Sequence, residues 1–365
     1  MSIKLIHCSG SDVSRYVRFC RDVYSDDVNY RDSMGSLCFD ILSGRSVFSK
    51  AAWILPVMVL DAQDQILAVA TFIQAKAMSD VLQMSFFEAV QTGEHAADLI
   101  VTEAAKMAIK RHARRIVVGI NGHINYGLGF LADHYHERTG FGSAYNPRWY
   151  VHYFEKRAVR TSTLVSYLGD PGTQPTEREQ RLIRRLERTF TFRMADLRHL
   201  EREIVTYTQL NNDCFATHPL YYERRVEEDY ELFRAFRRLL REENLLFAEK
   251  NGKAVAFMLW YPDFNELVPP GGTLGVRTWI QYKLLRRPIT RFKIVEIGVH
   301  PDYQRSGVII GLFDQCLKQT RGRFAQCESG WIFSDNMDSR ALCERWAAKP
   351  YKHYKVFELP VDGRD

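Results

Sequence analysis

The chain has 365 residues, 46% of them hydrophobic, and a formal net charge of +6 at pH 7. That length and apolar content are enough for two domains with separate cores. A mild positive charge on so long a chain suits small acidic molecules such as nucleotides and gives little case for a nucleic-acid partner. Seven cysteines without a CxxC pair or a metal-ligand spacing read as reduced thiols, with no metal expected. The first residues, MSIKLIHCSGSDVSRYV, lack the apolar core of a signal peptide, and no apolar run approaches spanning length. The expectation is a cytoplasmic protein with no membrane partner.

In chain order, residues 11 to 24 carry apolar positions at helical spacing behind a Ser11 or Asp12 cap. Trp53 to Ala75 reads as two strands around a polar turn at Asp61 to Gln65, and Val81 to Val90 as a third. A helix from Glu94 to His112 is expected to bury Ala97, Ile100, Val101, Ala104, Ala105, Ala108 and Ile109. Ile116 to Ile120 follows as a strand, Asn121 to Tyr145 as irregular chain, and Thr163 to Leu168 as a closing strand. The Gly/Pro-rich stretch Gly169 to Thr176 is the clearest linker, so we expect an N-terminal domain at 1–168, a linker with a basic helix at 169–188, and a C-terminal domain at 189–365.

The second half repeats this order. A strand at TFRMADL leads into helices around Glu201 to Leu210 and Glu223 to Arg241, and Asn251-Gly252 marks a hairpin turn. After the glycine-rich Pro269 to Gly275 comes the amphipathic basic segment TWIQYKLLRRPITR. Then Phe292 to Val299 forms an apolar strand that Pro301 should end, and a helix follows with Ile309, Leu312, Phe313, Cys316 and Leu317 on one face. A strand at CESGWIF, a helix at SRALCERW and a strand from Tyr354 to Leu359 complete the chain. The fold class expected is α/β, with mixed β-sheets flanked by helices in two copies.

Between the strand and helix of the second half lies Gln304-Arg305-Ser306-Gly307-Val308-Ile309. A glycine here lets the backbone approach a ligand, the first N–H groups of the helix favour an anion, and Arg305 adds a positive charge. The string V-x-P-x-Y-Q-R-x-G-V resembles the central motif of the GNAT superfamily of acyl-CoA-dependent N-acyltransferases, Q/R-x-x-G-x-G/A. Gln304 and Gly307 match its first two positions, while Ile309 stands where the family has Gly or Ala. FFEAV, INGHIN, Tyr145-Asn146-Pro147, Pro262-Asp263-Phe264-Asn265 and ESGWIFSDN extend the likeness to nearly the whole chain, which is similar to tandem GNAT-fold proteins of bacteria. The resemblance implies two fused GNAT-like domains and an acyl-CoA co-substrate, acetyl-CoA first. Its pyrophosphate would lie on Gln304, Arg305, Ser306, Gly307, Val308 and Ile309, its thioester on the backbone of Ile297 and Val299, and its pantetheine arm near Asn336. In the first half, Thr92-Gly93-Glu94-His95 replaces the motif, and acidic residues at a helix start repel a diphosphate. The first half is therefore expected not to bind CoA.

Acyl transfer to an amine needs a base for the ammonium and a proton source for the thiolate. Glu296, a charge inside an apolar strand, and Glu328 on the neighbouring strand are the candidate bases; the alternative for each is an ion pair, for Glu296 with Arg291 or Lys293. Glu344 occupies the position where many family members have a tyrosine acid. Asn125, Tyr145, Asn146, Trp149, Asp263 and Asn265 are expected to shape a substrate cleft between the two halves, although Asn146-Pro147 and Pro262-Asp263 are also turn-formers. The leading expectation is an acyl-CoA-dependent N-acyltransferase acting on an amine of a small molecule or amino acid. The alternatives are an aminoacyl-tRNA-dependent transferase, which would call for more positive charge, and a non-catalytic binding protein.

Overall fold

The structure is a computed structural model and describes residues 3–33, 35–345 and 348–361. The chain divides into two compact units, one formed by residues 1–164, 268–274 and 352–365 and the other by 165–267 and 275–351.

In the first unit, β1 (Lys4–His7), β2 (Ala52–Leu60), β3 (Ile66–Ala75) and β4 (Val81–Ala89) pair antiparallel in that order. Two helices, α1 (Val13–Asp22) and α2 (Gly35–Leu42), lie in the chain between β1 and β2. The β4 strand leads into α3 (Glu94–Lys110), which returns to β5 (Arg115–Val118), parallel to β4. Such a parallel pair needs a crossover, and α3 is that crossover. Ala97, Ile100, Ala104 and Ala108 pack inward as their spacing predicts, but Ile109, one step round the helix, is 60% exposed. A short strand, β6 (Phe130–Leu131), and α4 (Arg148–Glu155) follow; Tyr150 and Phe154 of α4 are fully buried against Phe87 and Phe130.

The second unit repeats the plan. After β7 (Arg160–Gly169) and α5 (Glu177–Leu186), with its Thr176–Glu179 capping box, comes β8 (Thr191–Met194). Helices α6 (Leu200–Phe215) and α7 (Val226–Phe236) precede the hairpin β9 (Leu245–Lys250) and β10 (Lys253–Pro262). Asn251 and Gly252 both have left-handed φ, at 52° and 75°, as a two-residue hairpin turn demands. A short helix, α8 (Val276–Trp279), continues as a π turn through Leu284. Then come β11 (Arg291–Val299), α9 (Val308–Thr320), β12 (Gln326–Ser329), β13 (Ile332–Phe333) and α10 (Met337–Arg345). The pairing β8-β9-β10-β11 is antiparallel and β11-β12 parallel, matching β1-β2-β3-β4-β5 element for element.

The expected cut in the linker does not describe the outer strands. The last strand, β14 (Lys349–Leu359), pairs with β5 in the first unit through Phe357↔Val118 and Leu359↔Ile116. In turn β7 pairs with β12 through Cys327↔Gly169. Residues 268–274 also belong to the first unit, where Asp32 N–H donates to the Gly272 carbonyl at 2.8 Å. These are non-local pairings, which no local pattern in the sequence encodes.

Candidate active site

The central strand of the second unit is irregular where chemistry is expected. β10 and β11 pair as Ala256↔Val299, Phe257↔Gly298 and Leu259↔Glu296, but the next pair is Trp260↔Ile294, leaving Val295 as an extra residue. This bulge bends β11 and re-aims the residues that follow it. On its other side, β11 runs parallel to β12 only as far as Ile294↔Ser329. Gly330 ends that pairing: its N–H donates to the Ile294 carbonyl at 2.5 Å, and a Cβ at Gly330 would lie 2.6 Å from the Val295 oxygen. The His300 N–H donates to Val255 at 2.9 Å. By antiparallel alternation, Glu296 and Gly298 also face β10, so Ile297 and Val299 turn their N–H and C=O groups to the opposite edge. Beyond Ile294 that edge has no strand partner among the described residues. An unpaired strand edge of this kind can take up an extended, amide-bearing chain as an added strand.

The loop after β11 ends in a turn that could hold an anion. Gly307 is the N-cap of α9 with φ +81°, a left-handed conformation that favours glycine. Ser306 Oγ donates to the Tyr303 carbonyl at 2.6 Å and accepts the Val308 N–H at 3.2 Å, fixing the turn. The N–H groups of Gly307 and Ile309 have no protein acceptor among the described residues. Gln304, Arg305 and Ser306 are exposed, and Val308 is buried. Ile309 packs its side chain against the core of this unit. A free helix N-terminus, a left-handed glycine and an exposed arginine together fit a diphosphate. Nothing similar occurs at α3. Gly93 has φ −89°, Glu94 lies in the first turn, and a Cβ on Gly93 would meet the Val90 carbonyl oxygen at 2.8 Å. That glycine serves close packing of backbone.

Glu296 follows the bulge directly and is half-buried. It pairs with neither Arg291 nor Lys293. It accepts a hydrogen bond from the Tyr207 hydroxyl of α6. Burial pushes its carboxyl above the ordinary range, opposed by the Arg224 charge and by hydrogen bonds from Tyr207 and Asn211, while Asp229 pushes it further up. Arg224 is itself buried, with Nη1 3.0 Å from Asp229 Oδ1 and its guanidinium 5.4 Å from the centre of the Tyr207 ring. Thr208 Oγ1 donates to Asp229 Oδ2 at 2.6 Å. Glu296 thus ends a buried polar chain built from α6, the loop after it and α7. A carboxyl with raised proton affinity beside an open strand edge is suited to accepting a proton.

Residues 204–347 match the family model described as the acetyltransferase (GNAT) family. A solved tandem GNAT protein from the clavulanic acid biosynthesis pathway superposes over 100% of both chains, with a TM-score of 0.57 at 10% identity, a likeness of fold. The chain carries two GNAT folds in tandem. It is 22% identical over 213 residues to the bacterial ceramide synthase of Caulobacter vibrioides (strain NA1000 / CB15N), covering 56% of each chain. It is 26% identical over 133 residues to protein YghO of Escherichia coli (strain K12), covering 34% of each. The matches therefore span little more than half of the first relative and about a third of the second.

The N-terminal GNAT fold has the same bulge, unseen in the sequence. Val69↔Glu88 is followed by Thr71↔Ser85, so Phe86 and Phe87 oppose one residue, and Phe86 takes φ +48°. Glu88 follows this bulge as Glu296 follows the other. It accepts hydrogen bonds from Tyr24 at 2.9 Å and from Tyr150 at 2.9 Å, and burial raises its carboxyl from 4.5 to about 8. Here, however, side chains fill the strand edge. Asn121 Oδ1 accepts the Phe86 N–H at 2.9 Å, and the Tyr150 hydroxyl accepts the Ala89 N–H at 2.6 Å while lying 3.0 Å from the Ala89 oxygen. Neither plugging residue, Asn121 or Tyr150, stands out in the sequence as a side chain that meets this edge.

The other expected site residues are scattered and mostly engaged in local structure. Glu328 is 1% exposed, with Arg291 Nη1 3.2 Å from its Oε2, the ion-pair arrangement. Asn336 is exposed and its Oδ1 accepts the Ser339 N–H at 3.1 Å, capping α10. Asn146 is buried and its side chain bonds both the N–H and the carbonyl of Leu131, at 2.6 and 3.2 Å. Tyr145 donates to Asp27 Oδ2 at 2.7 Å. Trp149 stands edge-on to Tyr150 and Tyr153, and Asn125 lies half-buried in a 3-10 turn. These four belong to the first unit; Asp263 and Asn265, both buried in a turn after β10, belong to the second. At Glu344, the hydroxyl nearby comes from Tyr167 of β7, 3.4 Å away, with Arg340 Nε donating to it at 3.1 Å.

Proposed function

We propose that the second unit transfers an acyl group from acyl-CoA to an amine, with Glu296 as the base. The observation that carries this reading is the free edge of β11 after its bulge, ending in the Gly307 cradle and flanked by Glu296. The diphosphate would rest on the N–H groups of Gly307 and Ile309 and on Arg305. The pantetheine amides would pair with Ile297 and Val299 as an added strand, which holds the thioester beside the bulge. Glu296 takes a proton from the acceptor ammonium, directly or through water. The amine nitrogen then forms the C–N bond as the C–S bond breaks, and CoA leaves as thiolate or thiol. Backbone N–H groups at the free edge supply hydrogen bonds to the developing oxyanion.

A ceramide is the N-acyl derivative of a long-chain amine, and likeness to a ceramide synthase over 56% of the chain supports testing long-chain amines first as acceptors, ahead of small amines and amino acids. The test is a thermal-shift panel of CoA, acetyl-CoA and longer acyl-CoAs, followed by thiol release with each amine class. Stabilisation by CoA species with amine-dependent thiol release is expected. Stabilisation without release under any amine would leave a binding protein, and no stabilisation at all would overturn the reading.

A further inference from the structure

We propose that the segment Val276–Arg287 docks this protein onto an anionic lipid surface. The described residues expose ten large apolar side chains, and four of them fall in this one stretch: Val276 at 68%, Ile280 at 38%, Leu284 at 62% and Leu285 at 61%. Val276 lies in α8, and Ile280 and Leu284 lie four and eight residues on, in the π turn that continues it. The fourth, Leu285, is the C-cap of that turn. Leu285 N–H donates to the Ile280 carbonyl at 2.9 Å and Arg287 N–H to Gln281 at 2.9 Å, so the widened turn carries two successive leucines outward. The opposite face, Thr278, Gln281 and Tyr282, is buried and anchors the segment. Trp279 is half-buried beside the apolar stripe.

Charge selects the occupant. The sequence VRTWIQYKLLRR contains Arg277, Lys283, Arg286 and Arg287 and no acidic residue. Lys283 is tied back, its Nζ donating to the Leu240 carbonyl at 3.0 Å. Arg277, Arg286 and Arg287 are exposed around the leucines. Stable attachment to a bilayer surface takes two signals, inserted apolar groups and basic residues against anionic headgroups, and this segment presents both. No helix among the described residues is long and apolar enough to cross a membrane; the attachment proposed is interfacial, through the exposed stripe. The sequence alone, lacking a spanning run, gave no reason to expect a lipid partner; the outward leucines do.

The experiment is co-sedimentation of the full chain with vesicles of phosphatidylcholine plus phosphatidylglycerol and with vesicles of phosphatidylcholine alone, at low and high salt. Wild type should sediment with the anionic vesicles, less so at high salt. Each arginine near such a surface contributes about fivefold to partitioning, so Arg286→Glu with Arg287→Glu should weaken binding by about thirtyfold or more. Leu284→Asp with Leu285→Asp should abolish it, and because both residues are exposed the melting temperature checks that the fold persists. Failure of wild type to bind anionic vesicles, or equal binding by both variants, overturns the proposal. So does a wild-type dimer in light scattering that the leucine variant splits while vesicles are ignored, which would make the stripe a self-interface. Vesicle binding is read without substrate, so it stands or falls independently of acyl transfer.

Discussion

Exchanging each bulge glutamate for glutamine separates chemistry from folding. Glu88 and Glu296 both follow a bulge, both accept a tyrosine hydroxyl, and both have their proton affinity raised by burial. For Glu88 the rise is from 4.5 to about 8. Below the lower value both the folded and the unfolded chain hold the proton, and stability is unaffected. Between the two values the unfolded chain releases it first, so stability falls as pH rises, by up to about 1.4 kcal/mol per pH unit. Above about 8 both forms are ionised and the loss stops. The accumulated loss is about 3–5 kcal/mol, which Glu88→Gln removes. Denaturant melts from pH 4.5 to 9 should therefore show Glu88→Gln gaining steadily on wild type, with turnover of folded protein changed less than about twofold. Glu296→Gln keeps an acceptor for Tyr207 but cannot take a proton. It should lower kcat by a factor of about a hundred to ten thousand and erase the acidic limb of the pH–rate profile. If Glu296→Gln keeps that limb, or Glu88→Gln loses as much activity, the reasoning from the strand edge is wrong.

Gly307→Val should abolish thermal stabilisation by CoA, whereas Gly252→Val, with similar left-handed strain of about 1–2 kcal/mol, should keep it; equal losses would remove the cradle from the argument. Asp229→Asn strips Arg224 of its buried partner and should cost about 3–5 kcal/mol in melts. Because Asp229 raises Glu296 while Arg224 lowers it, the acidic limb of the surviving activity should move to lower pH, and an unmoved limb would sever this network from the base. Tyr150→Phe leaves the Ala89 N–H buried without its acceptor, so a loss of about 1–3 kcal/mol with unchanged CoA binding is expected, measured by melts with and without CoA.

Most of the element order was legible because it rests on local signals: the Asn251-Gly252 turn, the period of α9, the stop at Pro301. The turn proposed as a cradle was legible for the same reason, since Gln304 to Ile309 form one contiguous string. What stayed hidden was set by register and by pairing across long separations. Neither bulge has a signature in its own strand, because Val295 is extra only by comparison with Leu259 and Trp260 on the partner. The partner of Glu296 is Tyr207, 89 positions away, so the near neighbours Arg291 and Lys293 were the only ones the sequence could offer. The turn-formers carry a second signal that the sequence does not separate from the first: Asn146, Asp263 and Asn265 are buried and polar, the Asn146 side chain bonds Leu131, and Asp263 Oδ1 accepts the Asn265 N–H. The pairings of β14 with β5 and of β7 with β12 could not be read at all, since each joins strands far apart in the chain.

The two halves show how one frame acquires two roles. A central strand that parts from its parallel neighbour leaves backbone N–H and C=O groups facing a gap, and such groups are costly to bury unsatisfied. The protein has two ways to meet that demand. In the first unit it uses its own side chains: Asn121 takes the Phe86 N–H, and Tyr150 takes that of Ala89. Tyr150 also reaches Glu88, so one aromatic side chain occupies both the strand edge and the carboxylate. In the second unit no described side chain does this for Ile297 or Val299, and the loop beyond presents a left-handed glycine instead of an acidic helix start. The same backbone opening is thus sealed from within in the first unit and left without a described side-chain partner in the second. That difference, more than the match or mismatch of any motif letter, is why we propose CoA for the second unit and expect the bulge carboxylate of the first to matter for stability and not for turnover.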